Sequence, residues 1–99
     1  MRPIHIARLD KSRPVVVLTR EIVRSALTTV TIAPITTRVR GLSTEVSVGV
    51  RNGLDQAGVI NCDNIATISV DDLGRSIGIL FPDQERLLTE AIVAAFDLE

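Results

Sequence analysis

The run Val15-Val16-Val17-Leu18 constrains this chain more than any other feature. Three β-branched residues in succession suit a strand, and a run without polar alternation needs cover on both faces. Thr29 to Ile35 is a second stretch of this kind, rich in Thr, Val and Ile. Val46, Val48 and Val50 alternate with Glu45, Ser47 and Gly49, as in a half-buried strand. Ile4 to Leu9, with Ile4 and Ile6 alternating against His5 and Ala7, also reads as a strand. Val59 to Ile68 reads as a strand pair or one bent strand, and Ile77 to Phe81 as a short strand. Helical spacing is clear only near the end. Pro82-Asp83 opens a helix with Asp83 as N-cap, and Leu88, Ile92 and Phe96 form its apolar stripe beside Leu87, Ala91 and Ala95. Asn52-Gly53 marks a turn, Asp71 to Arg75 a single helical turn, and Arg20 to Leu27 a helical turn or an excursion loop. The expected fold is mainly β with a C-terminal helix (α+β): about six short strands in a small antiparallel barrel or curved sheet.

Residues 1–99 are expected to form one domain, and the 45% hydrophobic content excludes a disordered chain. A domain this small leaves apolar surface uncovered, which favours a homodimer. No apolar run approaches the roughly 18–20 residues that span a bilayer, so no membrane role is expected. The first ten residues mix charge with apolarity and do not read as a signal peptide, which makes the cytoplasm the expected compartment. Cys62 is the only cysteine, so no internal disulfide forms.

The net charge of −1 hides a polarity. Residues 1–51 carry nine Lys/Arg and three acids, while residues 52–99 carry two Arg and nine acids. A basic face that meets a polyanion is one reading; halves that interleave and cancel are the other. Nucleotide-cradling glycine loops are absent, and one His with one Cys builds no structural zinc site. No metal or other cofactor is expected. His5 lies inside a predicted strand and reads as an ordinary strand residue. Asp71-Asp72 read as charges at the start of a helical turn. Phe81 and Phe96 are the only aromatics and both fall in predicted core, which argues against base-stacking RNA modules.

Two polar groups remain. Asp10-Lys11-Ser12-Arg13-Pro14 reads as a tight polar turn, with Arg13 directly before Pro14. Thr36 ends the second run, shares parity with Val30, Ile32 and Pro34, and leads into Thr37 and the Arg38/Arg40 loop. A permanently charged fork of donors beside a hydroxyl suits a phosphate. A surface salt bridge for Arg13 and plain strand propensity for Thr36 are the alternatives.

The chain resembles the MazF/PemK family of bacterial toxin endoribonucleases. Four segments carry the likeness in order: Arg13-Pro14-Val15-Val16-Val17-Leu18, Val30 to Thr36, Val59 to Ile68, and Leu73 to Leu80. The opening strand Ile4 to Asp10 is also similar. The resemblance implies a small SH3-like barrel with a C-terminal helix, working as a homodimer. It implies sequence-specific, metal-independent cleavage of single-stranded RNA, and a MazE-like antitoxin as partner. The family's catalytic pair falls on Arg13 and Thr36. Lys11, Thr37, Arg38, Arg40, Asp63 and Asn64 are the candidate RNA-binding residues. Two departures stand out: the first loop shrinks to Lys11-Ser12, and Ala66 stands where the family commonly has Arg.

The implied reaction uses the RNA's 2′-hydroxyl as nucleophile and leaves a 2′,3′-cyclic phosphate and a 5′-hydroxyl. Arg13 would stabilise phosphoryl charge, and Thr36 would either bind a non-bridging oxygen or help place the 2′-hydroxyl. Neither is a good base, which leaves His5 and Asp63 as the other candidates for that role. A gyrase poison of the CcdB type shares the fold, but those toxins depend on C-terminal residues that usually include Trp, and this chain ends Asp97-Leu98-Glu99 without one. A non-catalytic RNA- or protein-binding module is the remaining alternative.

Overall fold

The computed structural model describes residues 2–21 and 26–98. Seven strands, three short 3-10 turns and one long helix make up the architecture among the described residues. The strands are β1 (Pro3–Arg8), β2 (Ser12–Val17), β3 (Thr29–Thr36), β4 (Glu45–Val48), β5 (Gly58–Asn61), β6 (Ala66–Ser69) and β7 (Leu73–Ile79), and the helix is α1 (Pro82–Ala95). The sheet runs β4-β5-β3-β2-β1-β7, with β6 also paired to β3. Every pairing is antiparallel. β4 and β7 stand at opposite ends, so the sheet does not close on itself.

β3 is the branch point. One of its edges holds β2, with Val15 opposite Pro34 and Val17 opposite Ile32. Its other edge holds β6 over Thr29 to Ile32 and then β5 over Ile35 and Thr36. The change of partner falls at Ala33-Pro34, where proline has no N–H to give a ladder.

The valine run is buried as its composition requires: Val15, Val16 and Val17 are each wholly inaccessible. Alternation sends them to two cores. Val16 joins Ile4, Ala33, Ile60, Leu80 and the helix residues Leu88 and Ala91. Val15 and Val17 join Ala7, Val30 and Ile32. At roughly 1.5–3 kcal/mol per buried aliphatic side chain, this strand anchors both cores.

Several expectations are corrected. Asp83 is not the N-cap; Phe81 is, with Pro82 in the first helical turn and Gln84 accepting the Phe81 N–H. Phe96 lies beyond the helix end and is 57% exposed, and Leu87 faces solvent too. Phe81 is only half-buried, with the Arg51 guanidinium 4.7 Å from its ring centre. Val50 leaves the strand pattern to start a 3-10 turn and is exposed. The helical turn expected over Asp71 to Arg75 is a 3-10 turn at Val70–Asp72, after which β7 begins earlier than expected. The strand expected over Ile77 to Phe81 is the end of β7, which pairs with β1 through two register shifts. Much of the reading over Arg20 to Leu27 lies outside the described residues.

Among the described residues, Asn52 and Gln84 are the buried polar side chains. They form a reciprocal amide pair: Asn52 Nδ2 donates to Gln84 Oε1 at 2.7 Å, and Gln84 Nε2 donates to Asn52 Oδ1 at 3.0 Å. Asn52 also donates to the Ile79 carbonyl and accepts from the Gly49 N–H. Gln84 also donates to the Ser47 carbonyl. Both amides thus use every donor and lone pair they have. This lock joins β4, the Val50–Asn52 turn, β7 and the start of α1.

Candidate active site

β1 and β2 are joined by a turn at Leu9-Asp10-Lys11, tight enough for the Leu9 N–H to donate to the Lys11 carbonyl. Arg13 therefore sits in β2, opposite Ala7, rather than in the turn. The β2–β3 register explains its neighbour. Their ladder ends with Val15 opposite Pro34, and Arg13 and Thr36 each lie two residues beyond that pair, on the face of its strand that carries it. Both side chains line two adjoining cavities, of about 320 and 350 Å³.

Arg13 is held from behind. Its Nε donates to Asp10 Oδ1 at 3.0 Å and its Nη2 to Asp10 Oδ2 at 3.1 Å. The guanidinium holds the Asp10 carboxyl down at about 2, and Asp10 in turn raises the arginine pKa further. Two of five N–H donors are engaged, and the others can receive a ligand. The Thr36 hydroxyl accepts from the Arg38 N–H at 3.1 Å, which leaves its own proton to donate.

The first cavity is lined on its polar side by Lys11, Ser12, Thr37, Asp55, Gln56 and Arg75, over the apolar side chains of Ile6, Pro14, Ile35, Leu54 and Ile77. The second is more strongly polar, lined by Asp10, Arg38, Arg40, Asn61 and Asn64 with Leu9 and Pro34. Lys11 and Thr37 thus reach one cavity, and Arg38, Arg40 and Asn64 the other. Asp63 lines neither; its carboxylate accepts from the Thr44 hydroxyl at 2.6 Å. His5 lines neither as well. Its Nδ1 lies 2.8 Å from the Gly74 carbonyl, which can only accept, so Nδ1 carries a proton.

The Arg38–Arg40 loop is fastened by Glu45, whose place in the sequence signals only a strand. The Glu45 carboxylate accepts the backbone N–H groups of Arg40, Gly41 and Leu42 at 2.8–3.2 Å. Gly41 takes a positive φ of 76° there. Asp10, Asp55, Gln56 and Arg75 also line the cavities, where no sequence motif places them. Only Asp10 left a signal, a carboxylate three residues before Arg13 across a short turn. The others reach the site through non-local packing.

Both readings of the charge polarity hold in part. Arg2, Arg8 and Arg51 pair with Glu85, Asp72 and Asp83 of the acidic half. Lys11, Arg38, Arg40 and Arg75 have no ion-pair partner among the described residues, and all four line the two cavities. Interleaving thus pairs part of the basic half with the acidic half and leaves these four cations unpaired around Arg13. Cys62 takes no part: it is buried in the core, and desolvation, with Asp63 nearby, pushes its thiol up to about 11. No group of three potential His, Cys, Asp or Glu ligands gathers among the described residues. No helix among them is long and apolar enough to cross a membrane.

Known proteins resemble this chain over nearly all of its length. A curated relative, endoribonuclease MazF3 of Mycobacterium tuberculosis, is 65% identical over 99 residues, covering 100% of this chain and 96% of the relative. The solved structure of the Mycobacterium tuberculosis toxin MazF-mt6 superposes with a TM-score of 0.97 at 64% identity, covering 99% of each chain. An endoribonuclease in complex with its cognate antitoxin, from a mycobacterial species, shares the fold at a TM-score of 0.88 and 24% identity, over 98% of this chain and 93% of that one. The family pattern of PemK-like, MazF-like toxins of type II toxin–antitoxin systems matches residues 5–96, and this chain belongs to that family.

Proposed function

We propose that this endoribonuclease toxin cuts single-stranded RNA without a metal, by attack of the RNA's own 2′-hydroxyl on the adjacent phosphorus. The carrying observation is the position of Arg13 and Thr36 where two cavities adjoin, with unpaired cations around both. A strand of RNA laid through the cavities would set one phosphate against the pair. Attack forms the 2′-O–P bond and breaks the P–O5′ bond. The products are a 2′,3′-cyclic phosphate and a 5′-hydroxyl.

Arg13 acts as a fixed cation. Negative charge gathers on the phosphoryl oxygens, and a preorganised donor aimed at them lowers the barrier by roughly 3–4 kcal/mol. Asp10 sets the plane of the fork. Thr36 donates to a phosphoryl oxygen while the Arg38 N–H fixes its lone pair. Arg13 takes no proton, because Asp10 drives its pKa still higher. Asp10 is too weak a base, with its carboxyl held near 2. The 2′-proton leaves to water, and O5′ recovers one from water.

Arg38, Arg40, Lys11 and Asn64 contact the RNA backbone, and Thr37 borders the pair. Asp63 supports the Thr44 turn rather than the RNA. The working unit is a homodimer; exposed apolar side chains such as Leu42, Leu87 and Phe96 support this reading. The cognate antitoxin carries an acidic segment that covers the unpaired cations and blocks the RNA path. Cutting messenger or ribosomal RNA would halt translation and growth.

The test is incubation with mixed-sequence RNA in EDTA, beside Arg13→Ala, with end-group analysis. Cyclic phosphate and 5′-hydroxyl ends made only by the wild type support the mechanism. RNA left intact in EDTA but cut on addition of a divalent cation would overturn metal independence. RNA intact in every condition would overturn the nuclease assignment.

A further inference from the structure

The first cavity holds polar groups that the Arg13–Thr36 chemistry does not use. They sit on the segment from Gly53 to Gly58, which leads from the Val50–Asn52 turn into β5. Both ends of this segment rest against backbone. A Cβ at Gly53 would lie 2.0 Å from the Ile77 carbonyl oxygen, and one at Gly78 would lie 1.7 Å from that of Asn52. Gly53 also holds a φ of 92°, which side chains rarely adopt. At the other end, a Cβ at Gly58 would lie 2.5 Å from the Thr36 carbonyl oxygen. The segment is therefore clamped between β7 and Thr36 itself.

Between the clamps, Leu54 is buried and contributes to the core. Asp55 and Gln56 are exposed, line the cavity, and make no hydrogen bond or ion pair among the described residues. A cavity of about 320 Å³ with an aliphatic floor fits one flat ring better than a chain of phosphates. Asp55 and Gln56, among its polar groups, can read hydrogen bonds on that ring's edge.

We infer that the Gly53–Gly58 segment reads the base beside the scissile phosphate, with Asp55 and Gln56 as the specificity residues. Its carboxylate only accepts, so Asp55 favours a base that offers an exocyclic amine. Uracil offers one N–H between two carbonyl oxygens, which the carboxylate repels. Gln56 donates to the ring acceptor next to the amine. The segment packs against backbone at both ends, which places Asp55 and Gln56 beside Thr36. This inference rests on the RNA-cleavage reading above.

The test sequences the cut ends from a randomised single-stranded RNA library treated with wild type, Asp55→Asn, Gln56→Ala and Arg13→Ala. The wild type is expected to disfavour uracil at one position beside the cut on the order of tenfold, the size of one good base contact. Asp55→Asn should reduce that preference to about twofold, with the preferences at other positions retained. Gln56→Ala should weaken the same position and carries the test if Asp55→Asn does not fold. Identical motifs from wild type and both variants would overturn the inference. So would an Asp55→Asn protein that melts like wild type yet cuts nothing, because Asp55 would then belong to the chemistry. No cleavage by wild type, indistinguishable from Arg13→Ala, would overturn the nuclease reading and this inference with it.

Discussion

The Asn52–Gln84 pair makes a prediction that can be counted bond by bond. Gln84→Leu keeps most of the side-chain volume but strands two donors, one N–H of Asn52 and the Phe81 backbone N–H. Asn52→Ala strands one N–H of Gln84 and the Gly49 backbone N–H. Each stranded buried donor costs about 1–3 kcal/mol. Phe81 and Gly49 are both half-buried, and water relieves part of each backbone loss. Each single change should therefore cost about 3 kcal/mol, or a fall of roughly 12–20 °C in Tm for a domain of this size. The double variant strands only the Phe81 and Gly49 groups, because the two side-chain donors are gone together. Its loss should be about 2 kcal/mol rather than about 6, a coupling of about 4 kcal/mol. The assay is urea unfolding at fixed protein concentration, followed by two probes to check two-state behaviour. Losses that simply add would refute the reciprocal lock, since independent groups carry no coupling.

Arg13→Lys should lower the cleavage rate by roughly 10²–10³-fold, since a point charge cannot replace the fork; near-wild-type rates would exclude the bidentate contact. The Asp10 carboxyl is held at about 2, below its ordinary range. Its stabilising effect is therefore present above the unfolded pKa of about 3.9 and lost as pH falls toward the folded value. Thermal melts of wild type and Asp10→Asn should differ by a constant amount from pH 7 to about 5 and converge toward pH 2; a gap that persists there excludes the ion pair as the cause. Neutralising Arg38 and Arg40 together should weaken RNA binding and reduce the slope of log affinity against log salt by about 1.4. An unchanged slope in a salt titration rules out both as phosphate contacts. Gly58→Ala should displace Thr36 through the 2.5 Å contact with its carbonyl and cut activity more than tenfold, measured on protein whose circular dichroism matches wild type. Full activity would show that Thr36 is not held from that side.

Much of this fold is local enough to read directly. Val15 to Val17 and the Val46/Val48 alternation declare their strands because burial and β-branching agree there. β7 hides because Gly74, Arg75, Ser76 and Gly78 have no strand bias of their own; pairing with β1 makes it a strand. Phe96 extends the helical spacing on paper, but the helix stops at Ala95 and the eighth-residue repeat has no surface to meet. Within the site, Arg13 and Thr36 were legible as residue types, and the β2–β3 register supplies the reason they meet. Asp55, Gln56 and Arg75 enter through contacts between distant parts of the chain, which no short window contains. The Asn52–Gln84 pair is hidden for the same reason.

The Glu45 carboxylate has a consequence beyond this molecule. It binds the backbone of Arg40, Gly41 and Leu42 rather than any side chain. The bend of that loop is therefore indifferent to which side chains it displays, provided Glu45 and Gly41 remain. Such a loop tolerates drift at positions 38, 39, 40 and 42 without losing its shape. A lineage could retune the charges it offers to nucleic acid one residue at a time, and an engineer could graft residues 38–45 as a self-supporting unit.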